Sequence, residues 1–413
     1  MNFPSKDVSI IRDLAKRVAE VAALPEQAEK AELWRQHNNL ELKRPLVLIF
    51  PEGSWREAMP GDVLQTTDPT CRGYERDLRV RLYHHEHLKD DNVISGTVHT
   101  PIVVHNSGYG VSAHTTRPKH PTGAAGYDTV ISTEEDFFEK VRKPEVTVDW
   151  EESERRYEEA CALFDGILPV EKKGGSYSGF AVVDLFSQWR GFGQLLLDLA
   201  DRPEWLHRCL QFLTDCTLAN LDKLEAEGAL GLNNKKDYVG SGGVGYTDQL
   251  PQSDFDGTHV RTRDLWGFAT AQIFSEVSPA MHEEFALRYE IQFLSRFGLN
   301  CYGCCEPLHL KMNEVRKIPR LRRVSMSPYV DLAKGAEEIG DQYIYSRKPN
   351  PAILASVAWN PDAVRKSTRD DLEKTRGCIV ELIMKDTHTV NGEPHRLAEW
   401  VRIAKEEVDA FMN

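Results

Sequence analysis

The sequence predicts an α/β protein, a (β/α)8 TIM barrel over 44–413 with an N-terminal helical extension over 1–43. Three observations predict it. Short apolar strands alternate with amphipathic helices, the pattern of βα units around a parallel sheet. Eight or nine candidate strands fall within roughly 340 residues, with no internal repeat or low-complexity linker between them. Side chains of catalytic type follow the strands: Glu52, His105, Asp184, Cys304, Ser327, Lys348 and His388. A barrel carries its active site at the carboxyl ends of its strands. A doubly wound open sheet is the alternative architecture.

Residues 1–43 read as two helices, the first with Ile10, Leu14, Val18 and Ala22 along one stripe, the second strongly charged. They form a brace on the outside of the barrel. Pro45–Phe50 is an apolar strand, continuous in hydrophobicity as a strand covered on both faces should be. It enters a loop holding Glu52, Trp55 and Arg56, read as substrate-binding, with packing of Trp55 on the N-terminal helices as the competing reading. The helix over 73–90 carries His84 and His87 at i,i+3, but its Arg, Lys and Asp neighbours favour a solvated face over a metal pair. Val98–His105 is the next strand, and the Gly-, His-, Thr- and Pro-rich stretch 108–129 reads as a functional flap. Helices follow over 149–163 and 193–227, with a strand at Gly179–Phe186 between them.

Gly240–Gly245 spells G-x-G-x-x-G, yet polar residues precede it and no helix follows. It therefore reads as a loop whose backbone approaches a ligand closely, not as a dinucleotide site. A helix lies within 264–297, a strand at Leu299–Tyr302, and helices at 332–339, 361–376 and 396–411. Strands are expected within 321–331, from Gln342, and from Cys378.

Lys and Arg total 51 against 64 Asp and Glu, a net −13 over 413 residues, which excludes a general nucleic-acid or anionic-membrane binder. No apolar run reaches the about 18 residues of a membrane span. Eight cysteines without a secretory signal point to a reducing compartment, with the cytoplasm as the default.

Phe297 to His309 is the densest chemical stretch. An apolar run ends on Gly303, then come Cys304, Cys305, Glu306 and Pro307. Thiolates select zinc and other soft metals, and zinc also accepts nitrogen and carboxylate oxygen. Adjacent strand residues face opposite ways, so both cysteines ligate one ion only where the backbone turns, as Gly303 and Pro307 suggest. Two inert cysteines in a partly buried loop are the competing reading.

The segments Asp264-Leu-Trp-Gly-Phe268, Tyr302-Gly-Cys-Cys-Glu-Pro307, Arg323-Val-Ser-Met-Ser-Pro-Tyr-Val-Asp331 and Lys348-Pro-Asn-Pro351 together resemble the uroporphyrinogen decarboxylase superfamily, over roughly residues 40–410. That superfamily includes zinc- and corrinoid-dependent methyltransferases. The chain departs from true porphyrinogen decarboxylases, because its first loop offers Arg56 beside two glutamates where they carry an arginine-rich loop. It also departs from the methyltransferases' His-x-Cys-Gly segment, since Asn300 precedes Cys301.

The resemblance implies a methyltransferase that moves a methyl group from a small methylated donor, such as a methyl ether, to cob(I)alamin carried by a separate corrinoid protein. The flap is the surface that partner would meet. Zinc is the implied metal, held by Cys304, Cys305, His388 and Glu306. Glu306, His388 and Asp386 are the catalytic candidates, and Glu52, Trp55, Arg56, His105, Asp184 and Lys348 the substrate-binding ones. A homodimer is compatible with this reading. The alternatives are a metal-independent decarboxylase and a non-catalytic tetrapyrrole-binding barrel.

Overall fold

The computed structural model describes residues 3–116, 126–176 and 179–413. Seven strands form the central sheet: β1 (Leu46–Ile49), β2 (Gly179–Phe180), β3 (Trp266–Ala269), β4 (Leu299–Tyr302), β5 (Leu321–Met326), β6 (Ile344–Arg347) and β7 (Ile379–Met384). Their order is β1-β7-β6-β5-β4-β3-β2, and every pairing is parallel. All carboxyl ends therefore lie on one side.

Strand alternation gives the sheet two dissimilar faces. Val47, Ile49, Val324, Met326, Tyr345, Leu382 and Met384 enter the main core beneath the surrounding helices. The other face presents Leu46, Leu48 and Ile383 at one side, and Trp266, Phe268, Leu299 and Cys301 at the other. Between them it carries the buried polar residues Arg323, Ser325, Ser346 and Glu381.

Two elements cover this second face. One is the C-terminal end of helix α2 (Pro25–Asn38), whose Trp34, His37 and Asn38 are buried. Only helix α1 (Ser5–Ala22) lies as the outside brace that was expected; its Ile11, Leu14, Ala15 and Val18 pack in a separate core with Leu78, Leu82, Leu163 and Phe164. The other covering element is a glycine-rich hairpin, Tyr238–Val239 paired antiparallel with Gly243–Val244. Its glycines are needed for close approach: a Cβ on Gly240 would stand 2.6 Å from Cys301 Cβ, and one on Gly243 would stand 2.4 Å from Arg323 Cζ. The close approach expected of this backbone is thus made to the sheet itself.

The ladder does not close between β1 and β2 among the described residues. At β1 the reason is local: Val47 N–H donates to Asp91 Oδ2 (2.8 Å), Ile49 N–H donates to Asp90 Oδ2 (3.3 Å), and Asp91 N–H donates to Val47 O (2.8 Å). Carboxylates satisfy an edge that a strand would otherwise pair. Arg44 grips Asp91 with two bonds of 2.8 and 2.9 Å and holds its acidity up against burial.

Several local expectations change. Gly179–Phe186 is a strand only through Phe180; Val182–Arg190 is helical, because a short apolar run fits either state. Val98–His105 divides into Val98–Pro101 and Val103–Asn106, which pair outside the main sheet with Val170–Lys173 and Val146–Asp149. Trp266–Ala269 is a strand in a region, 264–297, for which a helix alone was named. His84 is buried and 3.1 Å from Asp90, whereas His87 is exposed as expected. The flap's central residues, 117–125, lie outside the described residues; its flanks His114–Thr116 and Gly126–Asp128 pair antiparallel. No helix among the described residues is long and apolar enough to cross a membrane.

Two tests follow from the buried face. Arg323→Met strands the Glu381 charge and is expected to cost about 3–5 kcal/mol, read as a lowered urea midpoint. A loss near zero would show that the ion pair is dispensable. Glu381 is held down to about 2, because Arg323, His37 and Lys348 outweigh the opposing effect of burial. Its contribution to stability is complete above the ordinary value of 4.5 and is lost as pH falls toward 2. Glu381→Gln should flatten the dependence of the urea midpoint on pH in that window.

Candidate functional site

At the carboxyl end of the sheet a cavity of about 330 Å³ is lined by Phe50, Glu52, Tyr238, Ser241, Phe268, Thr270, Gln272, Cys304 and Lys385, among others. Glu52, Cys304 and Lys385 arrive just past the ends of strands, whereas Phe268 belongs to β3 itself. Gly303, at φ 84°, turns the chain out of β4 and delivers Cys304. Glu52 (φ 46°) follows β1, and Asp386 (φ 58°) follows β7 one residue after Lys385. Non-glycine residues held at positive φ cost free energy and cluster at functional sites.

Cys304 is the centre of the polar contacts. Ser241 Oγ donates to its sulfur at 3.1 Å, Lys385 Nζ lies 3.6 Å away, and the Cys305 sulfur is 3.7 Å away. Lys385 Nζ also donates to Ser241 Oγ at 3.1 Å. The neighbouring Cys305 thiol, Lys385 and Ser241 together draw the Cys304 thiol down to about 6 against burial. Cys305 moves the other way, raised by Cys304 and by burial. The ammonium and the hydroxyl reach only one sulfur, so the proton is lost there. Burial disfavours the Lys385 ammonium, but Cys304, Asp386 and Glu52 outweigh it and keep the group charged. Glu52, which also lines the cavity, is raised by partial burial and by Asp386.

Glu306 is not free to act. Oε1 accepts from Thr270 Oγ1 (2.6 Å) and Ala271 N–H (2.8 Å), and Oε2 accepts from Cys304 N–H (2.6 Å). It is fully buried and ties the loop after β4 to the loop after β3. His388 is exposed, and its carbonyl accepts from Arg56 at 3.2 Å. Among the described residues no three His, Cys, Asp or Glu side chains gather as a metal-ligand set. The donors expected to hold zinc are thus divided: two thiols meet, Glu306 is spent as a brace, and His388 stays outside.

The remaining candidates separate. Trp55 packs edge-on against Tyr83, at 5.3 Å between ring centroids, on the helix Pro69–Tyr83 and not on the N-terminal pair of the competing reading. His105 stands exposed on the outer ribbon, 3.5 Å from Asp149, and not at the end of a central strand. Lys348 is buried and donates to Ser346 Oγ at 2.5 Å; burial draws it down to about 7. Asp184 accepts from Ile273 N–H at 2.9 Å and is raised to about 6, chiefly by burial. Neither Lys348 nor Asp184 lines the cavity. Sequence reading missed Lys385 and Ser241. Lys385 was legible as the first residue past a late strand, and Ser241 as the one hydroxyl within the glycine run.

No family model matches the chain, and no curated protein matches it. Among solved structures, a methyltransferase from Methanosarcina mazei is similar with a TM-score of 0.46 and 13% identity, over 92% of this chain and 97% of that one. A likeness at this level leaves the chemistry to this chain's own residues.

The thiol assignment has a direct test. Alkylation of Cys304 by iodoacetamide, followed by peptide mass spectrometry, should titrate near 6, and Lys385→Met should shift that midpoint upward. A midpoint at the ordinary thiol value of 9.0 would refute the assignment.

Proposed function

We propose that this chain is a methyltransferase, a curled βα barrel that takes a methyl group from a small methylated donor and passes it to a corrinoid carried by a separate protein. The observation that carries the reading is the pairing, in one small cavity, of a charged Lys385 with a Glu52 carboxyl raised above its ordinary value.

Breaking a methyl–heteroatom bond sends the electron pair to the heteroatom. That atom needs a proton, or a positive charge beside it, for the barrier to fall. Glu52 supplies the proton. Lys385, kept charged by the Cys304 thiolate, stabilises the developing negative charge, and Ser241 fixes the ammonium through its hydroxyl. Phe50, Tyr238 and Phe268 form an apolar wall suited to the donor's carbon frame. Reduced corrinoid, when docked, supplies the nucleophile for the methyl carbon. The volume suits a small ligand. Among the described residues Lys385 is the only cation lining the cavity, which is poor provision for a substrate with many carboxylates.

Methyl ethers, methylamines and methylthiols offered with cob(I)alamin should change the cobalt absorption, and none should react without it. Glu52→Gln should lower that rate by about 10²–10⁴-fold. Release of carbon dioxide from an acid substrate without corrinoid would instead establish a decarboxylase.

A further inference from the structure

Away from the cleft, two cavities of about 550 and 450 Å³ share His99 and Lys236 as lining residues. The first lies between the Val98–Pro101 strand and the helices Pro69–Tyr83 and Trp150–Phe164; the second extends along Val170–Lys173 to the segment that enters the glycine hairpin. Together they collect seven Lys and Arg side chains against four carboxylates, a local positive excess on a chain of net charge −13.

Most of those cations are answered. Arg81 pairs with Asp77 at 2.7 Å, Lys173 with Asp237, Lys172 with Glu154, and Arg155 and Arg156 with Glu152 at 2.7 Å. Lys235 and Lys236 are not: among the described residues neither ammonium has a hydrogen-bond or ion-pair partner. Lys236 is half-buried, and burial together with Arg81 draws it down to about 8. Burial and the charges of Lys236, Lys173 and Arg81 push His99 down to about 3. Thr100 also lines the first cavity, but its hydroxyl is itself buried, with no hydrogen-bond partner among the described residues. A buried hydroxyl without a partner is uncommon in folded proteins.

We infer that the paired cavities at Lys235, Lys236 and His99 form a binding site for a phosphate-bearing small molecule. A phosphomonoester carries about −1.5 to −2 charge at neutral pH and three strong acceptor oxygens, more than a single carboxylate brings to two unanswered ammonium groups. The neutral His99, whose Nε2 lies 3.6 Å from the exposed Glu171 carboxylate, brings one ring N–H. Tyr74, Val98 and Pro101 give the first cavity an apolar side for the remainder of the molecule. This site is distinct from the cleft at Cys304 and does not rest on the methyltransferase reading. Lys236 stands two residues before Tyr238, which lines that cleft, so one segment serves both places.

Calorimetric titration of the full chain with inorganic pyrophosphate at low ionic strength should give saturable binding. Lys236→Gln should weaken it about ten-fold or more, and Cys304→Ser should leave it unchanged. As a readout independent of folding, the His99 ring, assigned in NMR spectra through His99→Gln, should titrate at higher pH once pyrophosphate neutralises the field around it. The proposal is overturned if wild type shows no saturable binding, or if Lys236→Gln binds as well as wild type. Citrate binding as tightly as pyrophosphate would overturn the phosphate assignment.

Discussion

The ion pair between Arg323 and Glu381, 2.9 Å apart on the inner face of the sheet, is the constraint on which the rest of the structure depends. Two charges taken out of water must be matched on every side, or the fold loses several kcal/mol. Glu381 therefore also contacts His37 (3.2 Å) and accepts from Ser346, while Arg323 donates to Asn38 Oδ1 (2.7 Å) and reaches Cys301 Sγ (3.6 Å). Those partners come from the second helix and from two strands, β4 and β6. The helix is thereby anchored in the sheet, and Asn38 Nδ2 passes the connection on by donating to the carbonyls of Val244 and Tyr246, both at 2.7 Å. The hairpin so fixed is what brings Ser241 to Cys304.

The cleft shows how burial and neighbouring charge divide labour among similar groups. Cys304 and Cys305 are adjacent, yet one is drawn down and the other pushed up, because the Cys305 thiol hydrogen-bonds to Cys304 and Lys385 and Ser241 approach that same sulfur. Glu52 and Glu306 are both carboxyls beside this cluster. Glu306 accepts three hydrogen bonds and acts as a brace, whereas Glu52 lines the cavity and is raised by burial and by Asp386. Pairs whose environments push them apart mark acid and base assignments better than residue type does.

Cationic side chains are placed with economy on an acidic chain. Inside the sheet, Arg323 is matched by Glu381, Asn38 and Cys301; at the cleft, Lys385 is answered by a thiolate and by Asp386; the outer cavities leave the ammonium groups of Lys235 and Lys236 without partners among the described residues. Unanswered charge in a partly buried pocket is costly unless something else completes it.

The sequence by itself determined the parallel βα order and most of its later elements. Leu299–Tyr302, Leu321–Met326, Ile344–Arg347 and Ile379–Met384 are strands where the sequence predicted them, although Arg323, Ser325, Ser346 and Glu381 interrupt the apolar run expected of strands covered on both faces. It also singled out Cys304, since a glycine turn after a buried strand followed by two thiols leaves few structural readings. Weaker signals failed for physical reasons: Gly179–Phe186 and Trp266–Ala269 are short apolar runs that fit helix or strand equally well, and only their neighbours decide. What only the tertiary structure decided is which polar groups have hydrogen-bonding capacity left over. Glu306 looks like a ligand in the sequence until Thr270 and Ala271, more than thirty residues earlier, take up its oxygens. Lys385 and Ser241 look ordinary until a hairpin some 140 residues earlier lays one against the other. Such contacts depend on distances across the fold, and spacing along a chain does not encode them.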